Sequence, residues 1–165
     1  MLKEQNFKML INIKNLNKVY MMNSSFFKTE KKLNVLKNVS FCLPENTVLS
    51  IIGESGSGKT TLAKIISALT SFDGGIVELN GKNISSFTRL EMSNTVQMIF
   101  QNPYASFNPK LTIGSSMKQA LSKDIKNEDS AVKDKLALVE LETDILNKYP
   151  YQFSGGQRQR IAIAR

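Results

Sequence analysis

The sequence predicts an α/β fold with an antiparallel β portion, and three observations lead to this prediction. A short apolar run at residues 47–52 is followed by a glycine-rich loop and then by a segment with apolar residues at helical spacing. The segment IVELNGKNI has strand-like residues on both sides of Asn80-Gly81, a favoured pair for a tight hairpin turn. Between residues 112 and 148 the apolar positions recur with the period of a helix.

Composition narrows the functional classes. The chain has 165 residues, 41% apolar and 22% charged, which suits one modest soluble domain. It contains no histidine, so catalytic triads built on histidine and most metalloenzyme schemes are excluded. Its one cysteine, Cys42, excludes an intrachain disulfide. The net charge of +8 is compatible with a solvated surface, a polyphosphate ligand or a position near a membrane.

The first half of the chain is predicted to consist mainly of strands, with one helix. LINI and VLKNVSFCL are predicted strands because of their alternation and β-branching. TVLSII, residues 47–52, is a continuous apolar run typical of a buried strand in a parallel sheet. Gly74 and Gly75 predict a turn before the hairpin. The helix after the glycine-rich loop is predicted from the helical spacing of Leu62, Ile65, Ile66 and Leu69.

The second half is predicted to be mainly helical. TVQMIF, residues 95–100, reads as one more strand, and Pro103 and Pro109 place a loop after it. The helical pattern over 112–148 ends at Pro150, because proline interrupts a helix. The final stretch, SGGQRQRIAIAR, opens another helix.

The segment GESGSGKT matches the phosphate-loop pattern G-x-x-x-x-G-K-[S/T] in full. Its glycines let the backbone curl so that successive N–H groups point at phosphate oxygens, and the following helix adds the positive end of its dipole. We predict that Lys59 reaches the β- and γ-phosphates, that Thr60 is a Mg²⁺ ligand and that Thr61 adds a phosphate contact. The residues predicted to bind a nucleoside triphosphate, ATP with Mg²⁺, are Gly53, Glu54, Ser55, Gly56, Ser57, Gly58, Lys59, Thr60 and Thr61.

A second glycine motif, FSGGQRQR, starts at Phe153. Ser154 and Gln157 have the spacing of a capping box, in which both side chains bind backbone N–H groups at a helix start. One interpretation is therefore a plain helix start with a flexible entry. The other is a second anion site, because two glycines leave backbone N–H groups exposed at the helix tip. The residues alone leave both interpretations open.

Together the two motifs resemble the ATP-binding subunits of ABC transporters, in which a phosphate loop is followed by the signature LSGGQ. Here Phe153 replaces the leucine. By the same resemblance Gln101 lies at the position of the family's Q-loop glutamine, and Tyr20 lies where an aromatic residue stacks on adenine. The implied fold is a P-loop NTPase (RecA-like) core with an antiparallel β subdomain and a helical subdomain.

The resemblance extends to a subgroup and covers essentially the whole chain. QNPYASFNPKLTIG and YPYQFSGGQRQRIAIAR are similar to the ATPases of oligopeptide, dipeptide and nickel importers. The implied layout is one partial nucleotide-binding domain, 1–165. Its β subdomain and P-loop core span 1–100, its Q-loop and helical subdomain 101–152, and its signature motif with the start of the signature helix 153–165.

The resemblance also implies a mechanism and partners. Two ATPase subunits pair head to tail, so that Ser154, Gly155, Gly156 and Gln157 contact the nucleotide held by the other subunit. Lys59 and Gln101 are the implied catalytic residues, and Gln101 joins Thr60 at Mg²⁺. The implied partners are a second ATPase subunit, two transmembrane permease subunits and, indirectly, an extracytoplasmic substrate-binding protein, with no nucleic acid. The implied location is the cytoplasmic face of the membrane, as a peripheral subunit.

One departure from the family is marked. The family's next segment is an apolar strand ending in Asp-Glu, the Walker B motif, followed later by a histidine, and neither occurs before Arg165. We therefore expect these residues to form a C-terminally incomplete domain that binds ATP without hydrolysing it.

Two other functions are alternatives to an importer subunit. A non-transport ABC ATPase acting on nucleic acid or ribosomes gains slight support from the net charge of +8. A P-loop kinase or GTPase is disfavoured by the SGGQ helix, and a GTPase also by the lack of N-K-x-D.

Overall fold

The structure is a computed structural model that describes residues 8–23, 30–121 and 125–165. It divides into two compact units, Met1–Met98 and Ile99–Arg165. Each unit is described by itself below. Across the described ranges, no helix combines the length and the apolar character needed to cross a membrane.

The first unit is built on an antiparallel sheet. Its strands are β1 (Met9–Asn23), β2 (Glu30–Pro44), β3 (Gly74–Leu79) and β4 (Lys82–Asn83). They lie in the order β2-β1-β3-β4, and the neighbouring strands are antiparallel. The predicted strands near the N-terminus are therefore confirmed within β1 and β2.

The hairpin predicted at Asn80-Gly81 is confirmed. Asn80 has φ 51° and Gly81 has φ 75°. Two consecutive positive φ angles define a type I′ turn, whose twist matches that of the flanking strands. The turn is specified by two adjacent residues, Asn80 and Gly81, and the structure contains the turn that this pair predicts.

The prediction of a turn at Gly74 and Gly75 is wrong. Both residues belong to β3, and β1 is irregular opposite them. Gly75 has φ +98°, and a Cβ atom there would lie 2.5 Å from the carbonyl oxygen of Asn15. The glycine therefore permits a close approach of two strands rather than a reversal of the chain.

Helix α1 (Lys59–Ile66) follows the glycine-rich loop and buries Leu62 and Ile65 against the sheet. It is shorter than predicted, because Ala68 adopts a left-handed conformation with φ 52°. Leu69, predicted to continue the apolar stripe, is 56% exposed. The unit also contains α2 (Arg89–Thr95), which begins with a capping box.

The strands predicted at 47–52 and 95–100 are absent. Residues 47–52 are irregular, and the side chains of Val48 and Ile52 are 94% and 93% exposed. Residues 96–100 are also irregular. A strand exists through its hydrogen-bonded neighbours, and neither segment has a ladder partner among the residues that the structure describes. An apolar run alone does not specify those neighbours.

The second unit is helical. Its helices are α3 (Ile113–Lys118), α4 (Glu128–Ala137) and α5 (Gly155–Ala164). Short 3-10 turns lie at Pro103–Ser106, Thr143–Ile145 and Pro150–Gln152. The helical pattern predicted over 112–148 is thus confirmed as two separate helices and a turn, while residues 122–124 lie outside the described ranges. The buried apolar residues of this unit are Phe107, Ile113, Met117, Val132, Leu136, Ile145, Phe153, Ile161 and Ala164.

Candidate functional site

The phosphate loop requires glycine at two positions for conformational reasons. Gly56 has φ +83° and Gly58 has φ +94°, which side chains rarely tolerate. At Gly58 the surroundings are also tight, because a Cβ atom would lie 2.9 Å from the carbonyl oxygen of Val35 and 2.8 Å from a methyl group of Leu36. The loop is therefore fixed against the sheet at the point where α1 begins.

The start of α1 leaves backbone N–H groups free for a ligand. The first helical hydrogen bond runs from the Leu62 N–H to the Gly58 carbonyl oxygen, at 2.9 Å. The N–H groups of Lys59, Thr60 and Thr61 precede it, and the glycine N-cap offers no side chain to accept from them. These donors lie at the positive end of the helix dipole, an arrangement that binds phosphate.

The side chain of Lys59 folds back over the loop. Its Nζ donates to the carbonyl oxygens of Gly53 and Glu54, both at 2.7 Å, and to Ser57 Oγ at 3.3 Å. The ammonium group therefore lies within the loop that a triphosphate would occupy. The side chains of the loop residues between Gly53 and Ser57 are exposed, so the loop is open to a ligand.

The residues of the loop fit Mg²⁺ bound together with a triphosphate. The side chain of Thr60 is exposed at the start of α1, in the position predicted for a Mg²⁺ ligand. Over the described ranges, no group of three or more His, Cys, Asp or Glu side chains could hold a metal by itself. Mg²⁺ commonly keeps several waters and takes other ligands from substrate phosphates, so the Thr60 hydroxyl would be one ligand among these.

Tyr20 lies on β1 and is 36% exposed. The Nζ atom of Lys18, two residues earlier on the same strand, lies 5.2 Å from the centroid of the Tyr20 ring. Residues two apart on a strand share a face, so this contact follows from the strand itself. The ring therefore has a cation near it and remains partly accessible.

Asp73, which the sequence analysis did not identify, fixes this part of β1. Its Oδ2 accepts a 2.6 Å hydrogen bond from the Val19 N–H, and its own N–H donates to the Asn17 carbonyl oxygen at 2.9 Å. The hydrogen bond from the Val19 N–H holds the pKa of Asp73 below its usual value; burial opposes this effect, and the Lys18 ammonium adds to the lowering. In the sequence, only the spacing of two residues between Lys18 and Tyr20 indicates that they share a face of a strand. No sequence feature indicates a role for Asp73.

Gln101 belongs to the second unit. It lies at a bend two residues before the turn Pro103–Ser106, and its side chain is exposed. Its predicted contacts with Mg²⁺ and with the attacking water remain predictions.

The predicted capping box at the start of α5 is confirmed. Ser154 Oγ accepts from the Gln157 N–H at 3.3 Å, and Gln157 Oε1 accepts from the Ser154 N–H at 3.0 Å. Gly155 and Gly156 are exposed, and a Cβ atom at either would meet nothing within 4 Å. Phe153, immediately before the cap, is only 6% exposed and packs in the core of the second unit.

The helix start at Ser154 is therefore held by two side-chain hydrogen bonds, and two of its backbone N–H groups remain open. The capping box uses the N–H groups of Ser154 and Gln157. The N–H groups of Gly155 and Gly156 lie between them, ahead of the first helical hydrogen bond, which Arg158 donates to Ser154 at 3.0 Å. The interpretation as a helix start is confirmed, while the second anion site remains a prediction, for which the cap leaves the N–H groups of Gly155 and Gly156.

Comparison with known proteins identifies the family of this chain. The family model described as ABC transporter matches residues 36–165. The oligopeptide transport ATP-binding protein OppF of Streptococcus mutans is 38% identical over 98% of this chain and 53% of its own length. The di/tripeptide transport ATP-binding protein DppF of Pseudomonas aeruginosa is 35% identical over 94% of this chain and 50% of its own length. The chain thus spans about half the length of these curated relatives.

Solved structures show the same fold. The ATP-binding cassette MJ0796, in a dimeric post-hydrolysis state bound to ADP and Pi, superposes with a TM-score of 0.78 at 29% identity. The match covers 93% of this chain and 67% of that one. The cassette cbiO1 from Clostridium perfringens, part of a transporter complex, superposes with a TM-score of 0.70 at 20% identity, covering 95% and 60% of the two chains. The predicted α/β fold of the P-loop NTPase class is confirmed by these likenesses.

Proposed function

The chain belongs to the ABC transporter family, and from this premise we propose that it is the ATP-binding part of an importer of peptides. One observation carries the proposal. The start of α1 presents three N–H groups beside the ammonium of Lys59, in a loop held open by two glycines of positive φ. A triphosphate supplies the oxygens that such a group of donors requires.

Within this proposal, the phosphate loop holds the β- and γ-phosphates. Lys59 leaves its carbonyl partners and donates to phosphate oxygens. The Thr60 hydroxyl would help to hold Mg²⁺, which would supply positive charge at the phosphates. The ring of Tyr20 stacks on the base. Gln101 orients the attacking water in the complete site.

The start of α5 acts on a nucleotide held by a second ATPase subunit. Its two open N–H groups, at Gly155 and Gly156, suit a γ-phosphate presented from outside the chain. The solved relative MJ0796 is a dimer in its ADP-bound and Pi-bound state, which supports a paired arrangement. The proposed domain layout remains 1–100, 101–152 and 153–165.

The proposed partners are a second ATPase subunit, two permease subunits and an extracytoplasmic substrate-binding protein that acts through them. The relatives named for oligopeptide and di/tripeptide transport support peptides as the cargo. The proposed place of the chain is the cytoplasmic face of the membrane. Hydrolysis in the whole protein is part of the same proposal.

Two measurements test the proposal. Calorimetric titration of the chain with MgATP should show saturable binding at one site per chain, and no binding would overturn the ATP-binding role. Fractionation of the cells that produce the protein should place it with membranes and with permease subunits. Recovery with nucleic acid or ribosomes instead would overturn the importer role in favour of a non-transport ATPase.

A further inference from the structure

Lys18 is a buried cation beside the residue proposed to bind the base. It is only 6% exposed, although lysine is almost never fully buried unless it is paired. Its pair is Asp73, whose two carboxylate oxygens each lie 3.4 Å from Nζ. The carboxylate is 44% exposed, so the pair reaches from the interior to the surface of the first unit.

The position of Asp73 is fixed by the sheet and not by the lysine. Its N–H bonds the Asn17 carbonyl oxygen and its carboxylate bonds the Val19 N–H, so it spans the residues on both sides of Lys18. The next residue, Gly74, is the first of β3 and pairs with Asn17. Asp73 thus extends the ladder between β1 and β3 by means of its side chain, and Lys18 is held where that ladder ends.

The same ammonium group lies against the ring of Tyr20. At 5.2 Å from the ring centroid it is within the range of a cation–π contact. Such contacts are stronger when the cation is desolvated, as the buried Lys18 is. A cation over one face of a ring also leaves the opposite face as the place where a flat ligand can stack.

We propose that Lys18, held by Asp73, is a positioning residue that orients the Tyr20 ring and makes its open face the stacking surface for the nucleotide base. The inference rests on the proposed ATP-binding function and extends it to a residue pair that does not touch the phosphates. The cation draws electron density from the ring, which strengthens the stacking of an electron-rich purine on the other face. Lys18 therefore contributes to the part of the affinity that comes from the base.

The test compares two ligands that share phosphates and differ in the base. Dissociation constants for MgATP and for magnesium tripolyphosphate are measured by calorimetry on the full chain and on Lys18→Met. We expect MgATP affinity to fall about 5-fold, the size of a partly desolvated cation–π contact, and tripolyphosphate affinity to stay within about twofold. Lys14→Met is the matched control, because it removes an exposed lysine from the same strand and should change neither constant.

Two more variants separate positioning from general charge or folding effects. Lys18→Arg keeps the cation and should retain MgATP affinity. In a Tyr20→Ala background, Lys18→Met should have no further effect on MgATP affinity, since the ring through which it acts is gone. Should Lys18→Met lose its thermal unfolding transition, Lys18→Gln gives the same comparison, because its amide can still donate to Asp73 without carrying a charge.

Several outcomes would overturn the inference. An unchanged MgATP affinity in Lys18→Met would do so, as would an equal loss for both ligands or a full additional loss in the Tyr20→Ala background. These results differ from a failure of the proposed function, in which the unsubstituted chain would not bind MgATP at all.

Discussion

The helix starts of α1 and α5 are both rich in glycine, yet they satisfy their N–H groups in opposite ways. At α1 the N-cap is Gly58, which has no side chain to bind the backbone, and the donors ahead of Leu62 are left for a ligand. At α5 the N-cap is Ser154, and together with Gln157 it closes a full capping box. The first start thus leaves its donors for a ligand, and the second satisfies two of its N–H groups through its own side chains.

The two glycine motifs are therefore suited to different roles. A start that leaves its donors open and has a lysine in its loop, as at Lys59, can hold an anion without outside help. A start that is already capped keeps a fixed shape whether or not an anion is present, and it offers only the donors of Gly155 and Gly156. This is the division expected if one motif binds nucleotide and the other meets a nucleotide bound elsewhere.

The largest effect should come from the lysine of the first start. Lys59→Ala removes a charge-assisted contact to the phosphates, and we expect MgATP affinity to fall by about 100-fold or more. Calorimetric titration measures the change. Lys64→Ala, in the last turn of the same helix, is the matched control and should bind normally. An unchanged MgATP affinity in Lys59→Ala would contradict the assignment of the phosphate loop.

The second effect concerns the glycines of the two starts. Gly58→Ala places a Cβ atom against the Val35 carbonyl oxygen at a positive φ, and we expect it to lower the free energy of unfolding by about 3 kcal/mol. Gly156→Ala meets open space and should change the free energy of unfolding by less than about 1 kcal/mol, in the stabilising direction. Urea unfolding of both variants measures the difference. Equal losses would contradict the contrast between the two starts.

A smaller effect is expected at the cap of α5. Ser154→Arg removes the side-chain oxygen that caps the helix and should cost about 1 kcal/mol in the free energy of unfolding. The MgATP affinity of the chain alone should stay within about twofold, because in the proposed arrangement this start contacts the nucleotide of the other subunit. In the complete paired protein the bulky side chain should block closure on the nucleotide. A large loss of affinity in the single chain would refute the proposed role of Ser154.

The smallest effect separates a charged capping box from a neutral one. At the start of α2, Glu91 accepts from the Thr88 N–H, and this bond, aided by Lys82, lowers the pKa of Glu91 to about 2. Its contribution to stability is therefore present above the unfolded pKa of about 4.5 and is lost as the pH falls towards 2.

The box at α5 uses Gln157, which does not titrate. Glu91→Gln should therefore reduce the acid sensitivity of thermal unfolding between pH 5 and 2. Gln157→Glu should add to it. An acid sensitivity that is the same in the chain and in Glu91→Gln would show that the charge of Glu91 does not contribute to stability.

Local signals predicted local structure well at most positions, with the turn expected at Gly74 and Gly75 as an exception. The hairpin at Asn80-Gly81 and the cap at Ser154 each depend on residues within a few positions, and both are confirmed. The helix predicted after the phosphate loop, over residues 60–69, is also present, and it begins at Lys59. Each of these features is decided by backbone conformation and by hydrogen bonds over short range.

Long-range features could not be predicted in this way. The apolar runs at 47–52 and 95–100 match buried strands in composition, but strand formation depends on pairing with distant segments that a run of letters does not specify. The pair of Lys18 and Asp73 is separated by 55 positions, so a lysine in an alternating strand gave no sign that it would be buried. The contact of Lys18 with the Tyr20 ring could not be predicted for the same reason.

The fold-back of Lys59 has a thermodynamic consequence. Its ammonium already makes two 2.7 Å hydrogen bonds to carbonyl oxygens of the loop. A triphosphate that takes over this ammonium therefore exchanges one set of charge-assisted bonds for another. Heat released at the phosphates would then be partly offset by heat absorbed in the loop, so a measured binding enthalpy would understate the strength of the contact. Association would also require the lysine to leave the loop before the phosphates occupy it.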